Sequence, residues 1–222
     1  NEKMAYFFHD LFAASSRVVG GGDHHFTLDY MNIMRINALG SIKNLALQVT
    51  TNGMMLTWLD GRTNRYKKTN ENYAREFWEL YSLGQGNYTE KDISESARAF
   101  TGWTTKYNND TKRSEVQFIP ANFDPTSKTI FEGTPWVRTG AFNSQDIVNL
   151  TFDVHPQTPR FYAKAIYKFL VKQEPSEAVL STLAKLLKDS NYDVKPLLRK
   201  ILLSKEFFSP ASRRNSVKTP VE

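Results

Sequence analysis

The sequence predicts a mainly α fold, a single-core multi-helix domain with a small β-hairpin insertion at about 104–135. Three observations predict it. Most of the chain sets apolar residues at i, i+3, i+4 and i+7, the spacing of one helical face. Alternation of period two is confined to "SEVQFI" and "KTIFEG". The 222 residues are 40% hydrophobic and 13% aromatic, enough to fill one interior.

The elements follow in order. "EKMAYFFHDLFAA" puts Met4, Phe7, Phe8, Leu11 and Phe12 on one stripe. A loop comes next, "SSRVVGGGDHH", whose three consecutive glycines forbid regular structure. "TLDYMNIMRINAL" and "SIKNLALQVTT" read as two helices broken near Gly40, and "GMMLTWL" as a shorter one before the polar loop "DGRTNRYKKTN". A helix is expected from Asn72 to Leu83, with Gly84 as its left-handed stop. "TEKDISESARAFTGW" starts on Thr89 as N-cap, and Asp92 completes a weaker form of the capping box. The two alternating segments, separated by the turn-rich "PANFDPTS", read as a hairpin or a pair of short strands. The helical period then returns over 144–153, 157–173, 176–189 and 193–206, with Ser176 and Asp193 as caps and Pro196 tolerated in a first turn. Trp58, Trp78 and Trp103 fall in apolar helical contexts and are expected in the core.

Composition excludes several function classes. There is no cysteine, so neither disulfides nor thiolate metal sites can form. No apolar run approaches the ~20 residues that span a bilayer. No Gly-x-Ser-x-Gly elbow and no phosphate loop occurs: the glycines of "VVGGGDHH" lack the Lys-Ser/Thr that follows in such loops. Net charge is +6, and residues 157–222 hold 13 basic against 6 acidic side chains, so the excess lies in the last third. No signal peptide is visible. "NEKMAYFFHDLF" has no basic-then-apolar order, and "SVKTPVE" stops without a closing element. The expectation is one helical domain over 1–222, incomplete at both ends.

Asn72, Arg75, Glu76 and Glu79 share one arc of their helix, at about 100° per residue. Tyr73, Phe77, Trp78, Leu80 and Tyr81 take the opposite one. Arg75 and Glu79 stand at i, i+4 with opposite charge, an arrangement that steadies a helix by ~0.2–0.5 kcal/mol and needs no function. The functional alternative is acid–base or metal work with partners from elsewhere. Its catalytic candidates are His9, Asp60, Asn72, Arg75, Glu76 and Glu79; its metal candidates are His9, Asp10, Asp60 and Asp124. The preferred reading is structural: an Arg75–Glu79 pair held against Asp60 or His9 would lock helices in register.

The segments "MAYFFHDLFAAS", "LTWLDGRTNRYKKTNENYAREFWELYSLGQGNYTEKDISESARAFTGW", "NFDPTSKTIFEG" and "LLSKEFF" followed by "VKTPVE" occur in the order and spacing of a bacterial family. The chain resembles the C-terminal half of a member of domain of unknown function 1800. The resemblance implies an extracytoplasmic, usually exported bacterial protein of no established activity. The family's first motif reads Phe-Trp-His-Asn-His-Phe; here His9 is kept, while Asp10 and Leu11 replace the Asn and the second His. The family's later His-Asp is Phe123-Asp124, with Lys128 and Gly133 in place. Two of three motif histidines are thus lost, which implies that a transition-metal site of the family would be crippled here. A calcium-like set of oxygens from Asp60, Asn64 and Asn70 stands in a loop with four basic residues, poor company for a dication.

Other candidates are weighed the same way. His24 and His25 are adjacent, and adjacent side chains point apart, which suits a surface loop. His155 precedes Pro156 at the start of a helix, where capping or packing is expected. Arg160, Lys164, Lys168 and Lys172 recur every four residues with no acid interleaved on that face. Either water screens them or an anionic surface meets them. Tyr107 and Trp136 form a candidate sugar-stacking platform.

Three function classes follow. The leading one is a non-catalytic extracytoplasmic helical module for surface assembly, scaffolding or polymer association. The second is a hydrolase or metal-dependent enzyme with a His/Asp/Glu cluster. The third is an anionic-polymer binder acting through the basic C-terminal helices. No cofactor is expected, and a divalent metal is the one left open. Expected partners are the missing N-terminal part of the same protein and cell-surface proteins or polysaccharide. Nucleic acid is not expected, for want of a recognition module.

Overall fold

Side-chain oxygens decide where most of the helices begin. In the computed structural model, which describes residues 1–20 and 23–212, six of the ten α-helices start on such an acceptor. Ser41 caps α3 (Ile42–Thr50), Asn52 caps α4 (Gly53–Trp58) and Thr89 caps α6 (Glu90–Ala99). Asn143 caps α7 (Ser144–Asp153), Ser176 caps α9 (Glu177–Asp189) and Asp193 caps α10 (Val194–Leu202). At Thr89 the capping box is complete: Asp92 N–H donates to the Thr89 hydroxyl, and Asp92 accepts from Thr89 N–H at 2.9 Å. The other four helices are α1 (Glu2–Leu11), α2 (His24–Asn37), α5 (Asn72–Glu79) and α8 (Gln157–Val171). Residues 21–22, in the three-glycine loop, and 213–222, which include "VKTPVE", lie outside the described residues.

Helix α5 ends four residues before its expected limit. The amides of Leu83 and Gly84 both donate to the Trp78 carbonyl, at 2.9 and 3.0 Å, so the chain winds into a wider turn. Gly84 closes that turn at φ +78°, the left-handed stop the sequence asks for.

The small β insertion consists of two antiparallel pairs, so of the two expected arrangements the separate short strands are the one that forms. β1 (Trp103–Asn108) pairs antiparallel with β2 (Arg113–Phe118), and β3 (Lys128–Ile130) with β4 (Arg138–Gly140). "SEVQFI" and "KTIFEG" therefore sit in two separate two-stranded sheets, and the strand-bearing stretch runs from 103 to 140. The reason lies in α6. The amides of Thr129 and Phe131 are taken by Glu95, at 2.9 Å, and Asp92, at 2.6 Å, so two carboxylates occupy positions a partner strand would fill. Between the sheets, "PANFDPTS" turns inward: Asp124 N–H donates to the Thr101 hydroxyl, and the enclosed Lys128 ammonium donates to the carbonyls of Asp124 and Thr126.

The helices enclose an interior rich in rings. Phe8, Phe12, Tyr30, Phe77, Trp78, Phe152 and Tyr162 are fully buried. Buried phenols tie helix ends together. Tyr30 donates to the Phe12 carbonyl at 2.5 Å, Tyr192 to Phe152 at 2.5 Å, and Tyr162 to Tyr81. These carbonyls lie in or just past a last helical turn, where intrahelical bonding leaves an acceptor free. Two tryptophans depart from their expected core places: Trp58 is 37% exposed, and Trp103 is half-buried at the start of β1.

Candidate functional site

The polar arc of α5 is a set of local pairings. Arg75 turns away from Glu79 and donates to Glu90 at 2.9 and 2.8 Å, with Glu71 at 3.4 Å. Glu79 accepts from Gln85 and from the Tyr88 hydroxyl instead. The expected lock of an Arg75–Glu79 pair against Asp60 or His9 does not form. The physical reason is reach: α6 begins close enough to offer Arg75 both oxygens of one carboxylate, a better fit than a single i+4 contact. Burial pushes the Glu76 carboxyl up, Glu79 adds to this, and Arg75 opposes it. Asn72 opens the helix, and its amide donates to the Asn70 side chain.

The metal candidates lie apart. His9 sets its ring edge-on to Tyr30 at 6.3 Å, and Asp10 is exposed on α1. Asp60 is exposed in a left-handed turn. Asp124 is buried on Arg98 at 2.8 Å. Among the described residues no three His, Asp or Glu side chains converge in ion-ligating geometry. The oxygen set Asp60, Asn64 and Asn70 is spent on the loop's own shape: Asn64 donates to Ala97 O and accepts from Asn70 N–H. His25 bonds Ser114 O at 2.9 Å while His24 stays exposed, so the adjacent pair points apart.

The basic row on α8 meets acids from the next segment. Arg160 grips both oxygens of Glu177, and Lys164 and Lys168 share Glu174 at 3.2 and 2.5 Å. Lys172 caps the helix at φ 62° with its ammonium over Phe169.

Trp136 finds different company from that expected. Tyr107 stands 53% exposed on β1, while Trp136 joins a cleft of about 380 Å³ with Asn87, Tyr88, Asp92, His155 and Arg160. Phe131 and Trp136 both pack on His155, at 4.8 and 5.3 Å between ring centres. Tyr88 lies against Trp78. The Trp136 indole N–H is enclosed and has no partner, so the ring lines the cleft while its N–H is shut off from it.

The proton-bearing groups of this cleft are already committed. His155 Nδ1 accepts from Gln157 N–H at 3.2 Å, the capping role its position suggests. Burial holds its imidazole down at about 4, so it is neutral near pH 7. Asp92 Oδ1 accepts from Phe131 N–H, and Oδ2 from the amide and hydroxyl of Thr89. Tyr88 is pushed up to about 12 by burial and by its bond to Glu79. What remains is recognition by aromatic walls and the Gln157 side-chain amide, because the Asn87 amide is spent on the carbonyls of Leu83, Gly84 and Gln85. Nothing in the sequence marks Tyr88 or Phe131, and it marks Asp92 only as a helix cap, because these residues come from separate segments that only tertiary packing brings together.

No curated protein and no solved structure matches the chain. One family model, described as a protein of unknown function (DUF1800), matches residues 1–222, and the chain belongs to that family.

Proposed function

We propose that this chain is a non-catalytic extracytoplasmic helical module for polymer association, which holds one unit of a neutral polysaccharide in the Trp136–Tyr88 cleft. The observation that carries this reading is the pairing of ring walls with the Gln157 side-chain amide in one cavity. At about 380 Å³ it falls within the ~300–1,000 Å³ usual for small-molecule sites. Sugar rings present apolar C–H faces and hydroxyl edges, which that combination suits. A neutral unit fits better than a charged one, because Arg160 is occupied by Glu177 and Asp92 by three donors. The extracytoplasmic placing rests on the resemblance to exported bacterial proteins.

The two alternatives have less support. Glu76 and Glu79, the core of the enzyme reading, do not line this cleft. The anionic-polymer reading needs free cations, and three of its four are engaged by Glu174 and Glu177.

Calorimetric titration with cello-, chito- and malto-oligosaccharides tests the proposal. Saturable heat is expected with one series, unchanged by added salt, lost in Trp136→Ala and kept in Tyr107→Ala. No saturable heat with any series, or loss in Tyr107→Ala alone, overturns it.

A further inference from the structure

The loop between α4 and α5 gathers cations that nothing around it neutralises. Arg62, Arg65, Lys67 and Lys68 are all exposed, and none makes an ion pair among the described residues. The loop's own acid, Asp60, forms none with them, and Glu71 just past the loop is held by Arg75 at 3.4 Å. On α8, by contrast, Arg160, Lys164 and Lys168 each meet an acid.

The backbone that carries this charge is anchored. Arg65 and Lys68 exchange both main-chain hydrogen bonds, at 3.1 and 2.9 Å. They therefore face each other across a tight turn, roughly 5.5 Å apart at Cα, with their side chains on the same side. Lys67 takes the turn's left-handed position, φ 62°, where glycine or asparagine is usual. Its ammonium lies 5.2 Å over the Tyr66 ring. Behind the turn, Tyr66 N–H donates to Asn122 O at 2.8 Å, the Asn64 side chain to Ala97 O at 2.8 Å, and the Thr104 hydroxyl to Arg62 O at 3.2 Å. Like charges set directly opposite one another work against such a pairing, and the anchored backbone cannot move to spread them. An anion laid across the turn removes that cost. Guanidinium forks suit planar carboxylates, and the Tyr66 ring, 37% exposed, suits the C–H face of a sugar.

We propose that this turn binds a carboxylated polysaccharide, whose acid groups meet Arg65 and Lys68 across the turn, with Arg62 and Lys67 adding charge beside them and a sugar ring against Tyr66. The choice of a saccharide rests on the reading of the chain as a polymer-associating module. The cation platform does not, and none of its residues lines the Trp136–Tyr88 cleft.

Biolayer interferometry of the chain on immobilised polygalacturonate, over a range of salt, tests it. The wild type is expected to bind, with log affinity falling linearly in log salt, and to ignore neutral dextran. The double variant Arg65→Gln/Lys68→Gln changes two exposed side chains, so it keeps the wild-type circular dichroism. Its affinity should fall and its salt slope drop to about half, because two of four cations go. Trp136→Ala spoils the cleft and should leave both unchanged, so failure of one site is told from failure of the other. Lys195→Gln/Arg199→Gln on α10 removes the same charge elsewhere and should leave the slope unaltered. No binding to polygalacturonate overturns the proposal, as does its loss in Trp136→Ala. So does an unchanged slope in the Arg65/Lys68 variant, or an equal drop in the α10 variant. Tighter binding of a single-stranded oligonucleotide or of anionic phospholipid vesicles than of polygalacturonate overturns it too.

Discussion

Arg75 grips both carboxylate oxygens of Glu90, at 2.9 and 2.8 Å, across the turn that joins α5 to α6. Both side chains remain open to water, and exposed pairs of this kind are screened and entropically costly. Arg75→Ala is therefore expected to shift the melting temperature by no more than about 2 °C in calorimetry. A larger loss would mean that the polar arc of α5 holds the helices in register after all.

Arg98 and Asp124 form the contrasting pair, at 2.8 Å and largely out of solvent. Burial pushes the Asp124 carboxyl up, but bonds from Arg98 and Thr126 outweigh it and hold the group at about 2. The folded carboxyl titrates below the unfolded one. Its contribution is thus whole above about 3.8 and is lost as pH falls toward 2. On the order of 2 kcal/mol should disappear over that window. Urea unfolding at stepped pH checks this, and Asp124→Asn should flatten the acid limb while lowering stability at pH 7.

How far the sequence reaches is visible in these same residues. The Thr89–Asp92 capping box is legible because three residues of spacing carry it, and the helices are legible because their stripes recur within a turn or two. Asp92 also holds Phe131 N–H, 39 positions away, and no local pattern announces that bond. Local pattern likewise leaves open whether "SEVQFI" and "KTIFEG" pair with each other, since the acceptors that occupy one edge of β3 sit on α6. The basic row of α8 looked unneutralised because a helical period compares residues only within one helix; its acids, Glu174 and Glu177, lie past the helix end. The cleft was legible only as Trp136. His155 was identified as a capping residue, and its neighbours Tyr88 and Phe131 reach it through the tertiary fold alone.

His155 makes a second acid-sensitive contribution with its own window. Burial lowers the imidazole from an ordinary 6.5 to about 4, so the folded protein resists a proton that the unfolded chain accepts. Stability from this group is complete above 6.5 and is lost as pH falls toward 4, amounting to about 3 kcal/mol. Resonance titration of the His155 ring should give a midpoint near 4, and His155→Phe should remove the loss between pH 6.5 and 4. A midpoint near 6.5 would show that the Trp136 cleft is wetter than its packing implies.

Gly53 and Gly102 both meet aromatic rings, yet they should respond differently to the same methyl group. A Cβ on Gly53 would stand 2.4 Å from the Phe26 ring, but the residue sits in α4 with ordinary helical geometry. Gly53→Ala gains roughly 1 kcal/mol of helix propensity and loses more to the clash. Adding Phe26→Leu should recover most of the loss, because only a side chain stands in the way. At Gly102 the Cβ would come within 2.6 Å of Phe118 and 3.1 Å of the Phe123 Cβ, and the backbone holds φ +98°. That conformation costs an L-residue on the order of 1–3 kcal/mol whatever the space. Gly102→Ala is expected to destabilise, and Phe118→Ala added to it should not restore the wild-type midpoint in urea. Full recovery by that second change would show the steric contact to be the whole cost, and the left-handed turn between α6 and β1 to be dispensable.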